Sequence, residues 1–99
     1  MIVTVFRSRL RPELMNEYVE WVAKMNALAR TMPGYVSHKG FTAEDGERCT
    51  IVEFASEEAH RAWAEHPEHR AAQKLGRQKF YSEYSIHICK ALRSNSFKR

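Results

Sequence analysis

Apolar and polar positions alternate at the start of the chain. Ile2, Thr4, Phe6 and Ser8 fall on one side of a strand over residues 2–10, with Val3, Val5, Arg7 and Arg9 on the other. Neither side is purely polar, so both faces are expected to be covered. The period then changes. Pro12, followed by Glu13, opens a helix, because a missing amide costs nothing at a first helical position. Leu14, Tyr18, Val22, Met25, Ala29 and Met32 keep helical spacing, and Trp21 and Leu28 widen the stripe. Met-Pro-Gly at 32–34 ends it.

Residues 35–43 and 47–55 read as a hairpin around Asp45-Gly46, a dipeptide suited to a two-residue type I′ turn. Pairing Glu44 with Glu47 across that turn sets His38 opposite Glu53 and Phe41 opposite Thr50. Val36, His38, Cys49, Ile51 and Glu53 would then share one face, and Tyr35, Ser37, Phe41, Val52 and Phe54 the other.

A second helix starts at Ser56, whose hydroxyl can cap free amides, with Glu57 and Glu58 at its positive end. Pro67 must break it near His66, after which it restarts. Gly76 supplies a left-handed stop. A last strand, 80–92, carries Phe80, Tyr84, Ile86, Ile88 and Leu92 on one face and Tyr81, Glu83, Ser85, His87 and Cys89 on the other. The order βαββαβ predicts an α+β, ferredoxin-like fold: an antiparallel sheet with the helices on one face and the first strand between the third and fourth. The break at Pro67 leaves room for a pocket beneath it. The opposite face mixes Val3, Val5, Ile51 and Cys49 with Arg7, Arg9, Glu53, Glu83, His38 and His87. That is too apolar for water and too charged for a dry core, so a second copy of the sheet is expected against it.

Composition narrows the field. Ninety-nine residues make one domain, assigned to residues 1–93, with a polar tail over 94–99. The net charge of +4 falls to +2 without Lys98 and Arg99, and the remaining charges are interspersed with glutamates. No nucleic-acid stripe results. The third strand, Cys-Thr-Ile-Val-Glu-Phe-Ala, also lacks the exposed aromatic run that RNA-binding βαββαβ domains need. No stretch reaches membrane length, and the first apolar run has neither a basic n-region nor a small-residue cleavage site, so a cytoplasmic protein is expected, with neither membrane nor nucleic acid as partner. Cys49 and Cys89 lie on strands separated by a third, about 10 Å apart at ~4.8 Å per strand, too far for a disulfide. His60, His66 and His69 include an i, i+3 pair, but Pro67 intervenes and no carboxylate completes a metal site.

At Glu53-Phe-Ala-Ser-Glu-Glu-Ala59, Trp63, His66-Pro-Glu-His69 and Phe80-Tyr81 the chain resembles the antibiotic biosynthesis monooxygenase family, from the first strand to Cys89. The resemblance implies a homodimeric α/β barrel. The family includes cofactor-free oxygenases of polyphenolic rings, haem-degrading enzymes and isomerases, so fold alone does not choose among them. In the haem-degrading branch an asparagine, a tryptophan and an axial histidine would fall on Phe6, Trp63 and Gln73. Only the tryptophan is kept, and glutamine is a poor iron ligand.

The oxygenase branch asks less of the protein: bind a ring, remove a proton and exclude water while the deprotonated substrate reacts with O₂. The resemblance then implies His69, Gln73 and Tyr84 as catalytic candidates and Trp63, Phe6, Tyr18, Trp21 and Phe54 as the ring-binding wall, with no cofactor. The substrate would be a small aromatic or quinone-forming metabolite. The alternative is a non-catalytic dimer that binds a small hydrophobic ligand or serves as an accessory subunit. If Trp63 only plugs the core, the pocket disappears. His38 opposite Glu53, near Arg7, offers an acid/base set within the dimer barrel, but reads rather as a structural ion network, because a buried charge needs partners whether or not it does chemistry.

Overall fold

A computed structural model describes all residues 1–99. Strand β1 (Ile2–Leu10) leads through a short 3₁₀ turn at Pro12–Leu14 into helix α1 (Met15–Arg30). Strands β2 (Tyr35–Thr42) and β3 (Arg48–Phe54) form the hairpin, helices α2 (Glu57–Ala64) and α3 (Pro67–Leu75) follow, and strand β4 (Tyr81–Lys90) closes the fold. Residues 93–99 continue without helix or strand. The sheet order is β2-β3-β1-β4 and every pairing is antiparallel. The helices lie over the face that carries Thr4, Phe6, Thr50 and Val52. This is the expected ferredoxin-like arrangement.

The second helix breaks where proline requires. Ser56 accepts a hydrogen bond from Ala59 N at 3.1 Å and caps α2. His66 is extended, at ψ 130°, and its Nδ1 accepts from Glu68 N at 3.2 Å, so it caps α3 ahead of Pro67. Gly76 departs from expectation. It keeps right-handed helical φ, −58°, and the chain runs on through a wider π turn, Gly76–Phe80. Its missing side chain serves packing instead: a Cβ there would lie 2.7 Å from Tyr81 Cε2.

The hairpin register also differs. A type I′ turn needs positive φ at both central residues. Asp45 does not adopt it, and only Gly46, at φ 91°, does in this turn. The loop is therefore three residues long, closed by Ala43 N to Glu47 O at 2.8 Å and Gly46 N to Ala43 O at 2.9 Å. The carboxylate of Asp45 accepts from Glu47 N at 3.0 Å and further stabilises the turn. Thr42 now pairs with Arg48, and Phe41 faces Cys49 rather than Thr50, away from the helices.

A bulge at Val36 returns Tyr35 to a pairing with Phe54, whereas His38, on the turn side of the bulge, keeps the shifted register and pairs with Val52. His38 is thus on the helix side, and the expected His38–Glu53 pair is absent. Ser37 takes that place and donates to Glu53 Oε1 at 2.7 Å. A third irregularity, where Leu10 pairs with Tyr81 but Arg9 with Glu83, brings Tyr81 to the helix side with Tyr84 instead of the outer face.

Two aromatic clusters result. Phe54, fully buried, packs with Ala29 and Trp63, flanked by Leu28, Met32 and Tyr35. At the far end Tyr18, Trp21, Phe80 and Tyr81 meet at centroid separations of 5.0 to 5.9 Å. On the outer face Arg7 binds Glu47 at 2.7 Å, and Arg9 bridges Asp45 at 2.7 Å and Glu83 at 2.9 Å.

Candidate active site

Between the two aromatic clusters, sheet and helices enclose a cavity of about 550 Å³. The β-sheet supplies its floor through Thr4, Phe6, Thr50 and Val52, because residues two apart on a strand share a face. Helix α1 contributes Tyr18, Trp21, Val22 and Met25, at helical spacing. Helices α2 and α3 contribute His60, Trp63, His69 and Gln73. Tyr84, Ile86 and Ile88 of edge strand β4 also line it, each at least 41% exposed, so the cavity is accessible along this wall.

The break at Pro67 sets the chemistry at one end. Because α3 restarts at a new angle, the His69 ring stacks on Trp63 with centroids 4.0 Å apart and planes 17° from parallel. His69 Nδ1 lies 3.1 Å from the carbonyl oxygen of Trp63. A carbonyl only accepts, so Nδ1 carries the proton and Nε2 keeps its lone pair. No protein group meets Nε2, and no buried side-chain polar atom in the molecule lacks a partner, so Nε2 remains accessible. Burial pushes the His69 pKa below the ordinary histidine value, assisted by His60 and His66 and opposed by the Trp63 carbonyl. The ring is therefore neutral at neutral pH, with one free basic nitrogen.

Two more histidines border the cavity. His60 Nε2 lies 3.3 Å from Thr4 Oγ1, and His38 Nδ1 lies 2.6 Å from the Tyr35 hydroxyl. Burial lowers both pKa values, with Arg30 adding to the effect on His38 and Glu57 opposing it on His60. At the other end Tyr81 and Tyr18 hydroxyls are 3.4 Å apart. Burial and Tyr18 raise the Tyr81 pKa, partly countered by the field of Arg48.

Seven of the sequence candidates line this one cavity: His69, Gln73, Tyr84, Trp63, Phe6, Tyr18 and Trp21. Phe54 does not. It has no exposed surface and belongs to the core behind Trp63. Trp63 is both plug and wall, 7% exposed within that core and bordering the cavity through its contact with His69. Sequence reasoning set His38 on the opposite face and weighed His60 only as a metal ligand, and it assigned Arg48 and Tyr81 no part in the site. His60 was within reach, lying three residues before Trp63 on one helix face. His38 depends on the three-residue turn that shifts the hairpin register, and Tyr81 on the irregularity between Arg9 and Leu10; no alternation pattern announces either.

A four-stranded antiparallel sheet with helices on one face and an aromatic cavity between the layers defines an α+β domain of ferredoxin-like type. The chain belongs to the antibiotic biosynthesis monooxygenase family, whose model matches residues 1–75. The uncharacterized protein YqjZ of Bacillus subtilis (strain 168) is 30% identical over 94 residues, which cover 95% of this chain and 82% of that protein. Among solved structures, Rv0793 from Mycobacterium tuberculosis superposes with a TM-score of 0.82 at 16% identity, over 96% of this chain and 98% of the other. SnoaB, a cofactor-independent oxygenase from Streptomyces nogalater, superposes with a TM-score of 0.77 at 18% identity, over 94% of each chain. At such identities the superpositions speak for the fold.

Proposed function

We propose that this protein is a cofactor-independent monooxygenase of a small polyphenolic or quinone-forming substrate, with the cavity between sheet and helices as its active site. The observation that carries this reading is the accessible Nε2 of a neutral His69 in an aromatic-walled cavity. Similarity to SnoaB adds support at the level of the family.

The substrate ring lies among Phe6, Trp63, Tyr18 and Trp21, which offer π faces and exclude water. His69 Nε2 takes the proton of a phenol or enol, and Gln73 and Tyr84 hold the oxygen left behind. The resulting carbanion-like ring carbon is electron-rich enough to reduce O₂ itself. A C–O bond forms to give a hydroperoxide, which loses water. Overall a ring CH₂ and O₂ become C=O and H₂O, with all four electrons supplied by the substrate, so no external reductant enters the balance. The same reading includes a homodimer, with the outer sheet face covered by a second copy.

The test is O₂ uptake by pure protein with anthrone and hydroxynaphthacene-type phenols. Catalysed uptake, reduced roughly a hundredfold or more in His69→Asn, is the expected result. Tight binding of these phenols with no uptake above the spontaneous rate would favour the non-catalytic binding protein instead.

A further inference from the structure

The cavity has charges of only one sign. Arg48 and Arg77 border it, and neither aspartate nor glutamate does; Lys39 also touches it but pairs with Ile51 and holds its ammonium on the outer face, 5.6 Å from the Phe41 ring centroid. The molecule's four ion pairs lie elsewhere: Arg7 with Glu47, Arg9 with Asp45 and Glu83, and Lys79 with Glu17.

Arg48 is the informative residue. It is half-buried at the first position of β3, on the helix side, paired with Ser8. Its guanidinium carbon sits 5.8 Å from the Tyr18 ring centroid. One terminal nitrogen would lie 3.7 Å from a Cβ placed on Gly40, so this small residue on the neighbouring strand leaves the head group room. The Tyr18 face satisfies the cation partially. Yet a guanidinium has five N–H donors in a fork suited to a carboxylate, and no protein acceptor meets any of them. A half-buried, unpaired cation in a cavity free of carboxylates is an anion site by its chemistry.

Its position along the cavity adds a length. His60 contacts Thr4, whereas Arg48 is level with Ser8. Four strand residues separate these levels, about 13 Å at ~3.3 Å per residue. Trp63 and His69 belong to the His60 end, Tyr18 and Tyr81 to the Arg48 end.

We propose that the substrate is an aromatic acid: a planar phenol whose far end carries a carboxylate that binds Arg48 while its hydroxyl faces His69. The inference rests on the cavity being the substrate site. Arg48 acts here as a binding and orienting residue, fixing which end of the ring meets the base. Arg77, at the same end, strengthens the positive field without a requirement for direct contact.

The experiment measures binding alone, so that it stands apart from turnover. Calorimetry compares 6-hydroxy-2-naphthoate with 6-hydroxy-2-naphthamide, equal in shape and different in charge, on the wild-type protein, Arg48→Gln and Arg48→Met. The methionine variant keeps an apolar stem over Tyr18 if glutamine impairs folding. The wild type should favour the acid by about tenfold or more, and added salt should shrink that preference. Either variant should bring acid and amide within about twofold, and Arg48→Lys should restore part of the difference. This result supports the proposal even if no substrate consumes O₂. Equal binding of acid and amide by the wild type overturns it while leaving the oxygenase reading standing. A preference that survives loss of Arg48 overturns the assignment to this residue. Failure of both ligands to bind overturns the proposal and the cavity reading together.

Discussion

The indole of Trp63 is sealed into the core on one side and carries the His69 ring on the other. Trp63→Phe should therefore do two things at once. Lost volume and contacts should cost about 1–3 kcal/mol in denaturant unfolding, and planar aromatic ligands should bind more weakly because His69 loses its stacking surface. Unfolding loss with ligand affinity untouched would return Trp63 to a purely structural role. Intrinsic fluorescence can follow both effects if Trp21→Phe removes the other emitter. Acidity provides a second handle on residues. Burial lowers the pKa of His38, His60 and His69 in the folded state, so the unfolded chain binds more protons below about pH 6.5. Their contribution to stability is complete above that value and is lost as pH falls through the lowered folded values. The denaturation midpoint should decline from pH 7 toward pH 5, less steeply in His69→Gln. In the same direction, kcat/KM should show an acid limb that inflects below about 6.5, because the base acts only when neutral. An inflection above that value would point to a different base.

At the scale of elements, short deviations from regularity matter more than the regular lengths. The three-residue turn, the bulge at Val36 and the irregular pairing of Tyr81 together decide which side chains face the helices. Gly46 is where this can be tested without confounding contacts, since a Cβ there would meet nothing within 4 Å. Gly46→Ala should then cost about 1–2 kcal/mol, from left-handed backbone strain alone. Equilibrium unfolding measures it, and a neutral result would mean that the turn relaxes to another type. The break between α2 and α3 was readable from Ser56 and Pro67 because capping and the missing proline amide are local effects. Hairpin register was not, since two- and three-residue loops share the Asp-Gly signature, and the φ of Asp45 that tells them apart is set by the folded hairpin.

For the molecule as a whole, only ten of 99 residues are buried, and Val3, Val5 and Ile51 share the outer face with the ion pairs of Arg7 and Arg9. So open a structure favours a partner sheet. A homodimer burying more than about 1,000 Å² should sediment as such at micromolar concentration. Because Val5 pairs with Ile51 on that face, Val5→Glu should dissociate it. A wild-type monomer would mean that the outer face tolerates water, and would overturn this expectation. The sequence by itself determined the element order, the interrupted helix and the side of the first strand that meets the helices. These follow from periodicity, caps and proline, all of which act within a few residues. The tertiary structure alone decided that Phe54 is core while Tyr81 and His38 turn toward the helices, and that Arg48 stands unpaired at the end of a cavity. Those outcomes depend on bulges, register and the packing of distant segments, and one residue of slip exchanges the two faces of a strand.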